Sequence, residues 1–315
     1  MRTAKDYIIL IVKGIGMGAA DVVPGVSGGT IALITNIYEE LIESLKSFDT
    51  DAFTFVKSFD LKGLWKHING NFLAAVLFGI LISIFSLANI IHHLLETSPI
   101  QLWSFFFGLV LISALWVLNR IKGWNYKVVL ATVIGIVIAY LITSASPATT
   151  PDNLLFVFLS GMIAICAMIL PGVSGSFILL ILGKFQFIIS SVKNFDITVI
   201  LIFVAGCAVG LLSFVRVVAW FLKKFHDLTV AVLAGFMIGS LNKIWPWKEV
   251  LSYRTSSDGE QTPLIEQNIW PGEYVEKVGA DPKILSAILF FALGLLIVVL
   301  LEKIAKYIAE SKKYA

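Results

Sequence analysis

Asp21-Val22-Val23-Pro24-Gly25-Val26-Ser27-Gly28-Gly29-Thr30 interrupts an apolar segment near the start of the chain, and the reading of the fold turns on it. It has a second copy, Met168-Ile169-Leu170-Pro171-Gly172-Val173-Ser174-Gly175-Ser176-Phe177, in which Pro-Gly-Val-Ser-Gly is identical and apolar runs again lie on both sides. Proline removes a backbone donor and glycine tolerates dihedrals that other residues avoid, so each copy should end one helix and begin another. In lipid, backbone freed in this way has to be buried in protein or line a wet cavity. A pair of interrupted apolar segments at corresponding places in two halves points to a transporter's binding site.

Composition sets the environment. The 315 residues are 58% apolar and only 14% charged, and the mean hydropathy of +0.89 lies far outside the range of a soluble domain of this size. The chain therefore reads as an all-α polytopic membrane protein. Its 24 basic and 21 acidic residues leave a net charge of +3, which points to no nucleic-acid partner. Cys166 and Cys207 both sit in apolar runs and imply neither a disulfide framework nor a metal site. No short apolar core followed by a small-residue cleavage site is present at the N-terminus, so no cleaved signal peptide is expected.

Working outward, the apolar stretches 7–22 and 30–46 flank the first break. A full span needs about 20 apolar residues, so a re-entrant hairpin over 7–46 fits better than two crossings. Residues 48–70 mix Phe53, Phe59, Leu61 and Trp65 with Lys57, Lys62 and Lys66, the pattern of a helix lying in the interface. Spans are expected at 72–95, 100–119 and 127–145. The second hairpin covers 154–192, followed by spans at 197–222, 228–246 and 283–308, with a polar loop at 247–282. The whole chain is one membrane domain, with a first repeat over 1–145 and a second over 154–308. Gly79, Ser86 and Asn89 align with Gly206, Ser213 and Arg216, and Gly108 aligns with Gly235.

If each hairpin enters and leaves on one side, three crossings separate the two, and the halves sit in opposite orientations, an inverted-topology repeat. Charge is consistent with this drawing. A cytoplasmic N-terminus gathers Arg2, Lys5, Lys46, Lys57, Lys62, Lys66, Arg120, Lys122, Lys127, Lys223, Lys224, Lys303, Lys306, Lys312 and Lys313 on the inner side, as the positive-inside rule requires. Both termini are then cytoplasmic and 247–282 is extracytoplasmic. A drawing with ten full spans makes the halves parallel, and charge alone does not decide between the two.

After each Pro-Gly, a helix begins with free backbone donors aimed toward the membrane centre, a setting that favours an anion. The candidate binding residues are Pro24, Gly25, Val26, Ser27, Gly28, Gly29 and Thr30 in the first copy. In the second they are Pro171, Gly172, Val173, Ser174, Gly175 and Ser176. The bland reading is that Pro-Gly only kinks helices and the small residues allow close packing. Arg216, about six residues from the end of its span, is a further candidate for an anionic headgroup; the competing reading is that it snorkels to the interface. Asp21 has Met168 as its counterpart and so breaks the symmetry. It is a candidate for proton or cation coupling, or else a cap on nearby backbone. Lys13, Lys184 and Lys243 lie close enough to helix ends to be read as solvated. His67, His92, His93 and His226 are read as interfacial, and no metal-ligand spacing or cofactor motif occurs.

Gly16-Met17-Gly18-Ala19-Ala20-Asp21-Val22-Val23-Pro24-Gly25-Val26-Ser27-Gly28-Gly29-Thr30, together with Ala167-Met168-Ile169-Leu170-Pro171-Gly172-Val173-Ser174-Gly175-Ser176, resembles the polyprenyl-phosphate transporter family over essentially the whole chain. The resemblance implies a bacterial inner-membrane protein that returns undecaprenyl phosphate, the lipid carrier of cell-envelope synthesis, from the outer to the cytoplasmic leaflet. It also implies glycine where this chain has Asn36, and a less polar pair where it has Lys184-Phe185. The plan is similar, too, to undecaprenyl-diphosphate phosphatases, enzymes whose motif is Pro-Gly-x-Ser-Arg-Ser. Here the arginine position is Gly28 in one half and Gly175 in the other, which removes the charge expected to stabilise a phosphoryl-transfer transition state. A transporter rather than an enzyme is therefore expected, and a carrier of a small soluble anion remains the other alternative.

Overall fold

In a computed structural model, the structure describes residues 2–23, 25–148, 150–255 and 261–311; the expectation at Pro24 falls outside them. The helices are α1 (Ala4–Val22), α2 (Gly28–Ile34), α3 (Tyr38–Lys46), α4 (Thr50–Lys57), α5 (Leu61–His67), α6 (Gly70–Thr97), α7 (Pro99–Asn119) and α8 (Tyr126–Thr143). The chain continues with α9 (Leu154–Ile169), α10 (Gly175–Ile181), α11 (Phe185–Lys193), α12 (Ile197–Lys224) and α13 (His226–Ser240). Two strands, β1 (Lys248–Thr255) and β2 (Gln261–Asn268), and the helices α14 (Pro271–Val278) and α15 (Ile284–Ser311) complete it.

Among the described residues, α6, α7, α8 and α12 are long and apolar enough to cross a membrane, and α10 with α11 forms a bent pair at 108°. Leu77, Phe78, Leu81 and Phe85 on α6, and Leu201, Val204 and Val209 on α12, are exposed. Water would not tolerate such continuous apolar faces, and hydrocarbon does. The protein is a multi-pass membrane protein.

The two halves repeat one order of elements. Helices of 7, 9 and 28 residues (α2, α3, α6) in the first are matched by helices of 7, 9 and 28 residues (α10, α11, α12) in the second. Packing repeats as well: α1 lies on α6 and α9 on α12, while α7 packs on α15 and α8 on α13. At each crossing two glycines face each other's helix, Gly14 with Gly79, Gly161 with Gly206, Gly108 with Gly294 and Gly135 with Gly235. A Cβ at any of them would fall onto a carbonyl oxygen of the facing helix. The α2–α3 turn contains Asn36 at φ +58°, and its counterpart in the second half is Gly183 at φ +66°. Left-handed backbone explains the glycine expected at position 36, and asparagine is the residue that best substitutes there.

Four departures from the sequence reading have local causes. The segment 48–70, expected as one interfacial helix, is two short helices, because Asp49 caps α4 through Asp51 and Ala52 N–H, and Asp60 caps α5 through Gly63 N–H. Its Phe53, Phe59, Leu61 and Trp65 are exposed. The span expected at 228–246 stops at Ser240, where the chain turns and buries Ile244. The loop 247–282 carries a small sheet in an otherwise helical fold: β1 and β2 pair antiparallel from Lys248 opposite Asn268 to Thr255 opposite Gln261. Lys184, read as solvated, is 1% exposed; its Nζ donates to Thr150 O at 2.8 Å and pairs with Asp152, closing the turn between α8 and α9 onto α10.

Candidate functional site

The first break builds a tip out of its own polar groups. Gly25 has φ +85°, a conformation in which a side chain is strained. Ser27 caps α2 by accepting from Gly29 N–H at 3.1 Å, and Thr30 N–H donates to Ser27 O at 2.9 Å. Asp21, at the end of α1, accepts from Gly28 N–H at 2.7 Å. A Cβ on Gly28 would lie 2.5 Å from Asp21 Oδ2, so only glycine lets the carboxylate reach the start of α2. Asp21 is therefore a cap in this structure, placed where an external anion would otherwise sit.

The second tip has the same backbone but different occupancy. Gly172 also has φ +85°, Ser174 makes no capping hydrogen bond, and its hydroxyl is instead hydrogen-bonded to Ser176 Oγ at 2.8 Å. Met168 stands where the first tip has an acid, and among the described residues no side chain caps the start of α10. Ser176 is exposed, whereas Ser27 and Thr30 are fully buried.

The tips meet. Thr30 Oγ1 accepts from Gly172 N–H at 3.0 Å, Ser27 Oγ donates to Met168 O at 3.3 Å, and the buried Tyr38 hydroxyl donates to Ile169 O at 3.2 Å. A Cβ on Gly29 would stand 2.9 Å from Ile169 O. The structure thus brings Ser27, Gly29 and Thr30 against Met168, Ile169 and Gly172, while Gly25 packs on Lys243 and Gly28 on Asp21. Arg216 makes its hydrogen bonds elsewhere: it is exposed on α12 and donates to Leu212 O of its own helix and to Phe48 O, at 3.1 Å, in the α3–α4 link. Lys13 donates to Thr35 O at 2.6 Å, closing α2 onto α1.

Sequence reasoning missed a basic cluster beside the tips. Lys243, just past α13, lays its stem against Gly25, where an added Cβ would be 2.7 Å from Lys243 Cγ. Its Nζ stands 4.9 Å from the Phe177 ring centroid and 3.0 Å from Glu266 Oε2. Lys248 on β1 reaches the same oxygen at 3.4 Å, donates to Lys243 O at 2.7 Å and stands 4.5 Å over Trp103. Burial pushes the Lys248 ammonium down to about 8, with Glu266 opposing the shift and Lys243 adding to it. Burial alone would raise Glu266, but Lys248 and Lys243 outweigh it and hold its carboxyl below the usual range.

Two broken apolar segments whose tips bond to one another inside a bundle of long apolar helices define a polytopic membrane protein with a polar centre of the kind transporters use. A sequence model of the undecaprenyl phosphate translocase-like family matches residues 17–262, and the chain belongs to that family. It is 44% identical over 301 residues to a polyprenyl-phosphate transporter of Vibrio cholerae, covering 96% of this chain and 98% of that one. It is 33% identical over 259 residues to a polyprenyl-phosphate transporter of Staphylococcus aureus, covering 76% of this chain and 86% of that one. No solved structure matches it.

Proposed function

We propose that the chain is a lipid transporter that returns undecaprenyl phosphate from the outer to the cytoplasmic leaflet of the bacterial inner membrane, for reuse in cell-envelope synthesis. Its two halves lie in opposite orientations in the membrane, with both termini cytoplasmic. The observation that carries the reading is the hydrogen-bonded meeting of the two Pro-Gly tips, in a chain whose relatives are named for this substrate class. The phosphate is received by the start of α10, where no acidic side chain caps the helix and Ser174 and Ser176 add hydroxyls. It then takes the Gly28 N–H when Asp21 gives it up. Arg216 serves as a later contact toward the cytoplasmic end of the path.

Bringing a negative headgroup toward an inside-negative compartment costs about 2.3 kcal/mol per charge per 100 mV. A proton carried on Asp21 offsets that cost and at the same time weakens its hold on Gly28 N–H, so charge compensation and exposure of the anion site are one event. No cofactor enters this scheme.

The test is translocation of a fluorescent short-chain polyprenyl phosphate in proteoliposomes, with neutral polyprenol and inorganic phosphate in parallel. Acceleration of the lipid anion over protein-free vesicles is expected. Uptake of inorganic phosphate alone would establish a small-anion carrier, and release of phosphate from polyprenyl diphosphate would establish an enzyme.

A further inference from the structure

A cavity of about 400 Å³ opens between the end of α8, α10, the turn after α13 and the two strands. Its lining combines a charged group, Lys243, Lys248 and Glu266, with the apolar Phe177, Leu180 and Ile181 of α10, among neutral polar residues. Two ammonium groups share a single carboxylate oxygen, at 3.0 and 3.4 Å. The cluster therefore holds one positive charge beyond what Glu266 neutralises, with Lys248 only 7% exposed. An uncompensated buried charge is costly, and the cost falls when an anion joins the cluster. The apolar part of the lining suits a molecule that is an anion at one end and hydrocarbon at the other. Phe177 belongs to the second tip and Lys243 lies on Gly25 of the first, so the cavity abuts both.

We propose that this cavity is a receiving site for a phosphate monoester headgroup, which Lys243 and Lys248 bind in exchange for Glu266 while the first hydrocarbon units of its lipid lie on Leu180 and Ile181. The inference rests on the reading of the chain as a polyprenyl-phosphate transporter, and it adds the place where the substrate docks before the tips part. Glu266 acts as the resident anion: it keeps both lysines oriented in the empty site and withdraws when phosphate arrives. Lys243 then connects docking to the tips, because any movement of its ammonium toward phosphate shifts the stem that fills the space over Gly25.

The test uses the full chain in nanodiscs with Cys166→Ala and Cys207→Ala, and with Ser146→Cys on the exposed rim of the cavity as reporter. Short-chain polyprenyl phosphate, neutral polyprenol and inorganic phosphate are compared as protectants against a charged methanethiosulfonate reagent. Polyprenyl phosphate should slow labelling and polyprenol should not. Lys243→Gln or Lys248→Gln should raise the protecting concentration roughly tenfold, the worth of one charge-assisted hydrogen bond. Glu266→Gln, which keeps an acceptor oxygen for the lysines, should lower it. Protection by polyprenol, by inorganic phosphate alone or by nothing overturns the site. So does a Glu266→Gln change that weakens protection as the lysine changes do, since the three would then be a structural ion network. Protection without lipid translocation in proteoliposomes would remove the transport reading and leave the site standing; translocation with no protection would do the reverse.

Discussion

Replacing Thr30 with valine tests whether the two tips act as one unit. Thr30 is fully buried and its hydroxyl accepts from Gly172 N–H at 3.0 Å. Valine matches its volume but offers no acceptor, so the change strands a buried backbone donor at a cost of about 1–3 kcal/mol. Applied to the equilibrium between joined and parted tips, that is roughly a 5- to 150-fold shift toward parting. Thr30→Ser keeps the acceptor and loses one buried methyl, about 1 kcal/mol of general stability with no specific effect on Gly172. Hydrogen exchange of the peptide containing Gly172 separates the two. Exchange should quicken markedly in Thr30→Val and stay near wild type in Thr30→Ser, with a lower thermal midpoint for valine followed through the free thiols Cys166 and Cys207. If the Gly172 amide is as protected in Thr30→Val as in the wild type, the bond does not hold the tips together and the reasoning fails.

Four further outcomes follow from the same geometry. Gly79→Ala should cost about 1–3 kcal/mol or more and depress the yield of folded protein in detergent, because its Cβ would meet the Ile11 carbonyl across the α1–α6 crossing. Gly272→Ala, which meets nothing within 4 Å, should be silent. Asp21→Asn keeps an oxygen for Gly28 N–H but cannot take up a proton; it should still bind polyprenyl phosphate while transport loses its dependence on an imposed proton gradient, and an unchanged pH profile would reduce Asp21 to a cap. For Lys248 the folded value of about 8 lies below the ordinary 10.5. Between the two the unfolded chain holds more protons, so stability should rise with pH across this window. Lys248→Met should flatten that rise in denaturation curves recorded at pH 7.5 and 10, and an equal rise in both proteins would assign it to another group.

Much of this arrangement was legible because it is written locally. Pro-Gly breaks, glycine positions and apolar run lengths are properties of short windows, and spans expected at 72–95, 100–119 and 127–145 lie within three residues of α6, α7 and α8 at each end. Partners distant in sequence were not legible. Thr30 with Gly172 and Tyr38 with Ile169 are pairings between halves, and no periodicity encodes them. Lys184 sits at a helix end, where a lysine reads as solvated, yet Asp152, 32 residues earlier, draws it inside. Sequence gives only the depth of Arg216 in its helix, and its partner across the fold is the backbone of Phe48. Lys243 and Lys248 had one available signal, their spacing around Trp245 and Trp247, since a lysine among tryptophans at a helix end is a candidate for a covered rather than a solvated ammonium. The β-hairpin lay hidden in a segment whose polarity masked its alternation.

The four glycine crossings determine what can move as a body. Because α7 is clasped by α15 and α8 by α13, each half of the chain has lent helices to the other, and rocking the halves against each other would break close glycine-to-carbonyl contacts. The close pairs thus fall in two kinds: α1 with α6 and α9 with α12 stay within a half, whereas α7 with α15 and α8 with α13 join the beginning of the chain to its end. The order of elements along the chain and the pairing of its helices thus follow different lines in this protein. Severing the chain in the 144–153 link would yield two fragments that each lack the clasping partners of their own helices, and only their co-assembly would restore a working machine.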